Sequence, residues 1–157
     1  MNHLDKMIEK VDKMKNDFEI VKAPVEVLTE ISPKNNAEVI VMQLLYTQNQ
    51  FRIYHWQTKS FSHHKSFGKI YEILDNSIDE LLETYFGRYG RAYANNNFNI
   101  SLMNLADGAG VTLANQTIDF LMGEFTRSVK PSDTDLLNLR DGVVGELNRL
   151  KYLLTLQ

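Results

Sequence analysis

Residues 54–88 read YHWQTKSFSHHKSFGKIYEILDNSIDELLETYFGR, and the fold turns on how this stretch is read. It carries His55, His63 and His64, three of the four histidines, and Trp56, the only tryptophan. Phe67, Ile70, Tyr71, Leu74, Ile78, Leu81, Leu82 and Tyr85 recur at helical spacing and predict one long helix over about 62–88. At 100° per residue, positions 64, 68, 72, 75, 79 and 83 fall within about 100° of one another. One stripe of that helix therefore holds His64, Gly68, Glu72, Asp75, Asp79 and Glu83. Such a stripe can solvate a face or bind a metal.

The flanking sequence repeats the helical pattern. Upstream, Val41, Leu44, Leu45, Gln48, Phe51 and His55 share a stripe and predict a helix over about 36–59. Spacing alone leaves His55 as either a satisfied core histidine or a ligand. Downstream, residues 89–107 are polar loop chemistry, with Ser101 placed to cap a short helix, SLMNLA. Val111, Ala114, Ile118, Leu121, Met122 and Phe125 predict a third helix over 109–129. Pro131 follows, then the acid-rich start Ser-Asp-Thr-Asp of a fourth helix carrying Leu136, Val143, Leu147, Leu150 and Leu154. No stretch alternates with a period of two. The expected fold is all-α: four long helices in a bundle with a long crossover between the second and third, which is the ferritin-like connectivity.

The N-terminal part reads separately. Leu4, Met7, Ile8, Val11, Met14 and Phe18 predict an amphipathic helix over 2–20, followed by a connector with Pro24 and Pro33. Residues 1–36 form this arm and residues 37–157 the bundle. The arm has six lysines and seven acidic residues and is close to neutral. Its expected role is docking on its own subunit or a neighbour.

Composition narrows the function. The chain has 157 residues, 43% hydrophobic and 24% charged, enough for one domain with a real core. A net charge of −3 and the near-neutral arm disfavour DNA as a dominant partner. No apolar run approaches the roughly 18 residues of a membrane span. The absence of cysteine removes disulfides and thiolate ligands and fits a cytoplasmic setting. Any metal would be held by histidine and carboxylate, which suits iron, manganese or zinc.

The stretch resembles the core signature of the Dps proteins, the miniferritins. A His-Trp pair, His55-Trp56, ends the first helix; His64 opens the next; an Asp with a Glu four residues on, Asp79 and Glu83, follows fifteen residues later. DTDLLNLRDGVVGELNRLKYLL is similar to that family's last helix, and SLMNLA to the small helix of its middle connection. The resemblance covers roughly residues 37–157.

The resemblance implies a hollow homo-oligomeric shell, a dodecamer, that oxidises Fe(II) and stores the ferric product. The ferroxidase sites would lie at a two-fold interface, with His55 and His64 from one subunit and Asp79 and Glu83 from its partner. No catalytic residue beyond these metal ligands is implied. Two features depart from the pattern. The loop between the histidines is a few residues short, which aligning His64 rather than His63 absorbs. Gly68 stands where an acidic ligand is usual, and a glycine inside a helix costs roughly 1 kcal/mol against alanine. Glu72, one turn on, could reach over. A second expectation is therefore a ferritin-fold shell or assembly protein that has lost ferroxidase activity. A divergent, virus-encoded Dps-like protein would fit that reading. DNA protection is a third, disfavoured by the neutral arm. His63 is expected to be an exposed helix-start residue, and Trp56 an interface or core aromatic.

Overall fold

The structure, a computed structural model, describes residues 36–156. The expected arm helix over 2–20 and its connector lie outside the described residues. Within them the chain is all-helical, with no strand. Helix α1 is Asn36–Gln57 and α2 is Phe61–Tyr89. Helix α3 runs through Ala109–Phe120, a π-turn at Leu121–Phe125 and a last turn at Thr126–Ser128. Helix α4 is Thr134–Leu153.

Side-chain contacts fix the directions. Gln48 bonds Asp75 while His55 lies against His64, so α1 and α2 are antiparallel. Ser62 Oγ donates to the Leu156 carbonyl and Arg88 meets Asp135, so α2 and α4 are antiparallel too. Short links hold the α1–α2 and α3–α4 pairs, and the buried Thr47 and Thr117 hydroxyls, 2.9 Å apart, join α1 to α3. Helices α2 and α3 therefore point the same way. The chain leaving α2 must travel back along roughly 30 Å of helix before α3 can start, and residues 90–108 do this.

The core follows from the apolar periods. Ile40, Leu44, Phe51 and Tyr54 from α1 meet Phe67, Ile70, Leu74, Ile78, Leu81 and Tyr85 from α2. Leu113, Ala114, Leu121 and Phe125 from α3 and Leu136, Val143, Leu147 and Leu150 from α4 close it. Each such Leu or Phe contributes about 1.5–3 kcal/mol by leaving water.

Two local expectations fail for identifiable reasons. Residues 101–106 form no helix. Gln50, fully buried in α1, takes both backbone groups of Met103, and Gln57 takes the Leu105 amide. Those glutamines satisfy polar groups that a helix would have paired internally. On α3, Met122 is half exposed rather than core. The π-turn adds backbone per turn there and rotates Met122 outward while Leu121 and Phe125 stay inside. Thr126 supports that turn by donating to the Leu121 carbonyl at 2.8 Å, and Arg140 donates to Thr126 at 2.6 Å.

Candidate metal centre

The turn between α1 and α2 is only three residues long, and Ser60 ends it as the N-cap of α2 by accepting the His63 amide. That tight reversal brings the last turn of α1 against the first turn of α2. His55 and His64 stack there, ring centroids 3.8 Å apart and planes 23° from parallel. Their backbones lock the pair. His55 Nδ1 lies 2.8 Å from the His64 carbonyl, and His64 Nδ1 lies 2.9 Å from the His55 carbonyl. A carbonyl oxygen only accepts, so both Nδ1 atoms carry the proton. In the neutral ring each Nε2 is then a bare lone pair, the form a metal ligand takes when its other nitrogen is held by a carbonyl.

Gly68 makes this stacking possible. It is buried one turn beyond His64, and a Cβ built on it would sit 3.0 Å from both Cε1 and Nδ1 of the His55 ring. In a helix the side chain at i+4 leans back over residue i. A side chain at 68 would thus occupy the ring's place and cover the carbonyl that His55 uses. Tyr71 packs edge-on against His55, centroids 5.4 Å apart, and Arg52 lies 5.0 Å over the Tyr71 ring. The Arg52 Nε is buried without a hydrogen-bond acceptor among the described residues.

His55, His64, Lys65, Gly68, Lys69 and Glu72 line an open hollow on this face. Lys65 is drawn to one side, its Nζ 5.6 Å over the Phe61 ring. Glu72 is exposed at the hollow's far edge. Asp75 accepts a hydrogen bond from the side-chain amide of Gln48, one of the polar residues on the α1 stripe. Asp79 and Glu83 are exposed further along α2, roughly 22 Å and 28 Å of helical rise from His64. The four expected ligands therefore split into two sets, the His55–His64 pair and the Asp79–Glu83 pair. A single chain does not bring the two sets together, and no group of three metal-capable side chains gathers among the described residues.

His63 departs from its expected exposure. Its Nε2 donates to the Leu154 carbonyl at 3.2 Å and its ring meets Phe67 edge-on, so it ties α2 to the end of α4. Trp56 is 67% exposed and belongs to no core. The residues that sequence reasoning undervalued are Gln48, Tyr71 and above all Gly68. A glycine interrupting a sustained helical period was the visible signal for the last, but which neighbour needed its space was not readable from spacing.

Residues 55–154 match a family of unknown function, DUF5856. That match starts at His55 and contains His64, Gly68, Glu72, Asp79 and Glu83. The chain is also 27% identical over 115 residues to an uncharacterized 14.6 kDa protein from the mobD-ri intergenic region of Enterobacteria phage T4, covering 73% of this chain and 84% of that protein. No solved structure matches. Among the described residues, no helix is long and apolar enough to cross a membrane.

Proposed function

The chain belongs to the DUF5856 family, and we propose that it is a ferritin-like, Dps-like protein that binds and oxidises Fe(II) at sites shared between two copies. The observation that carries this reading is the reciprocal Nδ1-to-carbonyl lock of His55 and His64, which leaves two bare Nε2 donors on an open face. The long crossover and the ring of four helices support the ferritin-like connectivity.

Fe(II) is the substrate. Imidazole from His55 and His64 suits its borderline character, and hard carboxylates from Asp79 and Glu83 of a second copy suit the ferric product. A two-fold operator that brings the acidic part of one α2 to the histidine end of the other makes two equivalent sites at once. A further feature supports a second copy on this face: the large aromatics Trp56 and Phe61 are exposed beside the pair. Oxidation passes electrons from Fe(II) to peroxide or oxygen, and the ferric product is retained inside a homo-oligomeric shell, a dodecamer on the Dps pattern.

The experiment is iron uptake followed by size separation, with mass and iron measured in the same peak. Wild type should assemble and carry iron, and a variant with Asp79→Ala and Glu83→Ala should assemble without it. Equal iron in both would remove Asp79 and Glu83 from the site. The second reading, a shell without ferroxidase activity, is favoured by Gly68, which supplies no donor where an acidic ligand is usual. An iron-free dodecamer would select it.

A further inference from the structure

The outer face of α2 carries a charge pattern that matches a second copy of itself. Lys65, Lys69, Glu72, Asn76, Asp79 and Glu83 are all exposed and fall within about 80° of one another at 100° per residue. Phe67, Leu74 and Leu81 are buried on the opposite side of the helix. The stripe is basic in its first half and acidic in its second. None of its charges belongs to an ion pair among the described residues. Leu74 divides it evenly: Lys65 and Glu83 are equally far from Leu74, as are Lys69 and Asp79, and Glu72 and Asn76. A two-fold axis at Leu74 that sets one α2 antiparallel on another therefore faces each lysine with a carboxylate, and Glu72 with an amide donor. Sliding the copies by one turn places Glu72 against Glu80 in one direction and against Glu72 of the partner copy in the other. An in-register parallel arrangement opposes like charges throughout. The pattern thus selects one register by attraction and rejects its neighbours by repulsion. The ends of the stripe agree. Phe61, 75% exposed, and Gly87 are also equidistant from Leu74, and a Cβ built on Gly87 would meet nothing within 4 Å. With Glu83, Phe86, Gly90 and Arg91, Gly87 lines an open hollow of about 540 Å³, which has room for the Phe61 ring of the partner copy.

We infer that this stripe is a docking surface for a second copy of the chain, closed by Lys65–Glu83 and Lys69–Asp79 ion pairs across the two-fold axis and by Phe61 seated over Gly87 of the partner copy. The inference rests on the reading above only for a second copy on this face, and it requires no metal. Lys65 and Lys69 line the hollow beside His55 and His64, so carboxylates that a partner brings there arrive at two ammonium groups. Lys65 already lies along the stripe, its Nζ 5.6 Å over the Phe61 ring. One exposed ion pair contributes little, but the two-fold axis repeats each pair, and the four act as a network. Iron and the lysines then compete for Asp79 and Glu83. Alanine at those two positions removes the attraction without adding repulsion, so assembly through the apolar contacts survives it. Reversing the charges opposes assembly directly.

The test is charge reversal in the full-length protein, with assembly size measured by analytical ultracentrifugation in a metal chelator at low and high salt. K65E/K69E makes the stripe acidic along its length, and D79K/E83K gives both of its ends lysines. Circular dichroism confirms the fold of each. Each variant alone should raise the dissociation constant between copies by at least about tenfold, because like charges meet across the axis. An equimolar mixture of the two should return to the wild-type size, since every reversed residue then faces its opposite. Wild-type association should weaken as salt rises. If both variants alone associate like wild type, or the mixture stays as small as its components, the docking surface is overturned, and iron uptake still decides the metal reading. If wild type associates only once Fe(II) replaces the chelator, the ion pairs fall and the shared iron site stands. If the mixture recovers and wild type takes up no iron, the docking surface stands and the iron site falls.

Discussion

Gln50 holds Met103 by both of its backbone groups. The Gln50 Nε2 donates to the Met103 carbonyl at 2.7 Å, and the Met103 amide donates to Gln50 Oε1 at 2.7 Å. Gln50 has no exposed surface, whereas Met103 lies on the outside of the crossover. A single buried side chain of α1 thereby sets the path of the connection that lets α2 and α3 run in the same direction.

Replacing Gln50 by alanine removes two hydrogen bonds and leaves a hole in α1. The expected loss is about 2–3 kcal/mol, a Tm drop of roughly 5–10 °C for a chain of this size. Gln57 makes the same kind of bonds, to the Leu105 amide at 2.6 Å and to Asn104 Oδ1 at 2.8 Å, but it is exposed. Gln57→Ala should cost under about 1 kcal/mol because water replaces the lost partner. Thermal melts of the two variants check the contrast, and equal losses would show that burial does not set it.

Two kinds of glycine should respond oppositely to alanine. A Cβ on Gly110 would lie 2.7 Å from the Phe67 ring and 3.0 Å from Leu154 Cδ1, so Gly110→Ala overpacks the start of α3 and should cost about 1–3 kcal/mol. Gly142 and Gly145 are exposed on α4 with nothing within 4 Å. Alanine at either should stabilise the helix by about 0.5–1 kcal/mol. Denaturant midpoints at constant m-value would show the opposite signs.

The end of the bundle opposite the histidines should be acid-sensitive. The Tyr89 hydroxyl donates to Asp133 at the start of α4, and the Lys130 amide and Arg88 add to it. The Tyr89 bond first, then the Lys130 amide and the Arg88 charge, hold the Asp133 carboxyl below its usual range. The Arg88 hydrogen bond does the same for Asp135. A lowered folded pKa means that the unfolded chain takes up the proton first as pH falls. The contribution is therefore present above the unfolded value, about 3.9, and is lost as pH falls through the lower folded value. Stability should decline below about pH 4, and Asp133→Asn should flatten that decline. An unchanged acid limb in the variant would remove Asp133 from the cause.

Trp56 reports on the proposed partner. It is the only tryptophan, and in one copy it is 67% exposed one residue from His55. If a second copy covers this face, the indole leaves water on assembly. Its emission should shift to shorter wavelength as protein concentration rises, and Trp56→Glu should hold the protein in smaller assemblies by elution volume. Emission independent of both concentration and assembly size would mean that this face stays in water.

The sequence by itself determined the all-helical class, because its apolar residues recur at helical period in four segments and nowhere alternate. It also located the ends of α1 and α2 to within about two residues, over 36–59 and 62–88, and marked the start of α4 by its acidic run. It placed His64, Gly68, Glu72, Asp79 and Glu83 on one stripe, since that follows from geometry within one helix. What only the tertiary structure decided depends on contacts between segments far apart in the chain. Two buried or bridging glutamines, not local propensity, made residues 101–106 an extended strap. A π-turn tied to Arg140 of another helix turned Met122 outward. Gly68 looked like a missing ligand in the sequence, but it became the space for the His55 ring only when the three-residue turn folded α1 back on α2. Periodicity encodes which face of a helix is buried. It does not encode which side chain of another helix arrives there, and the histidine pair depends on that arrival.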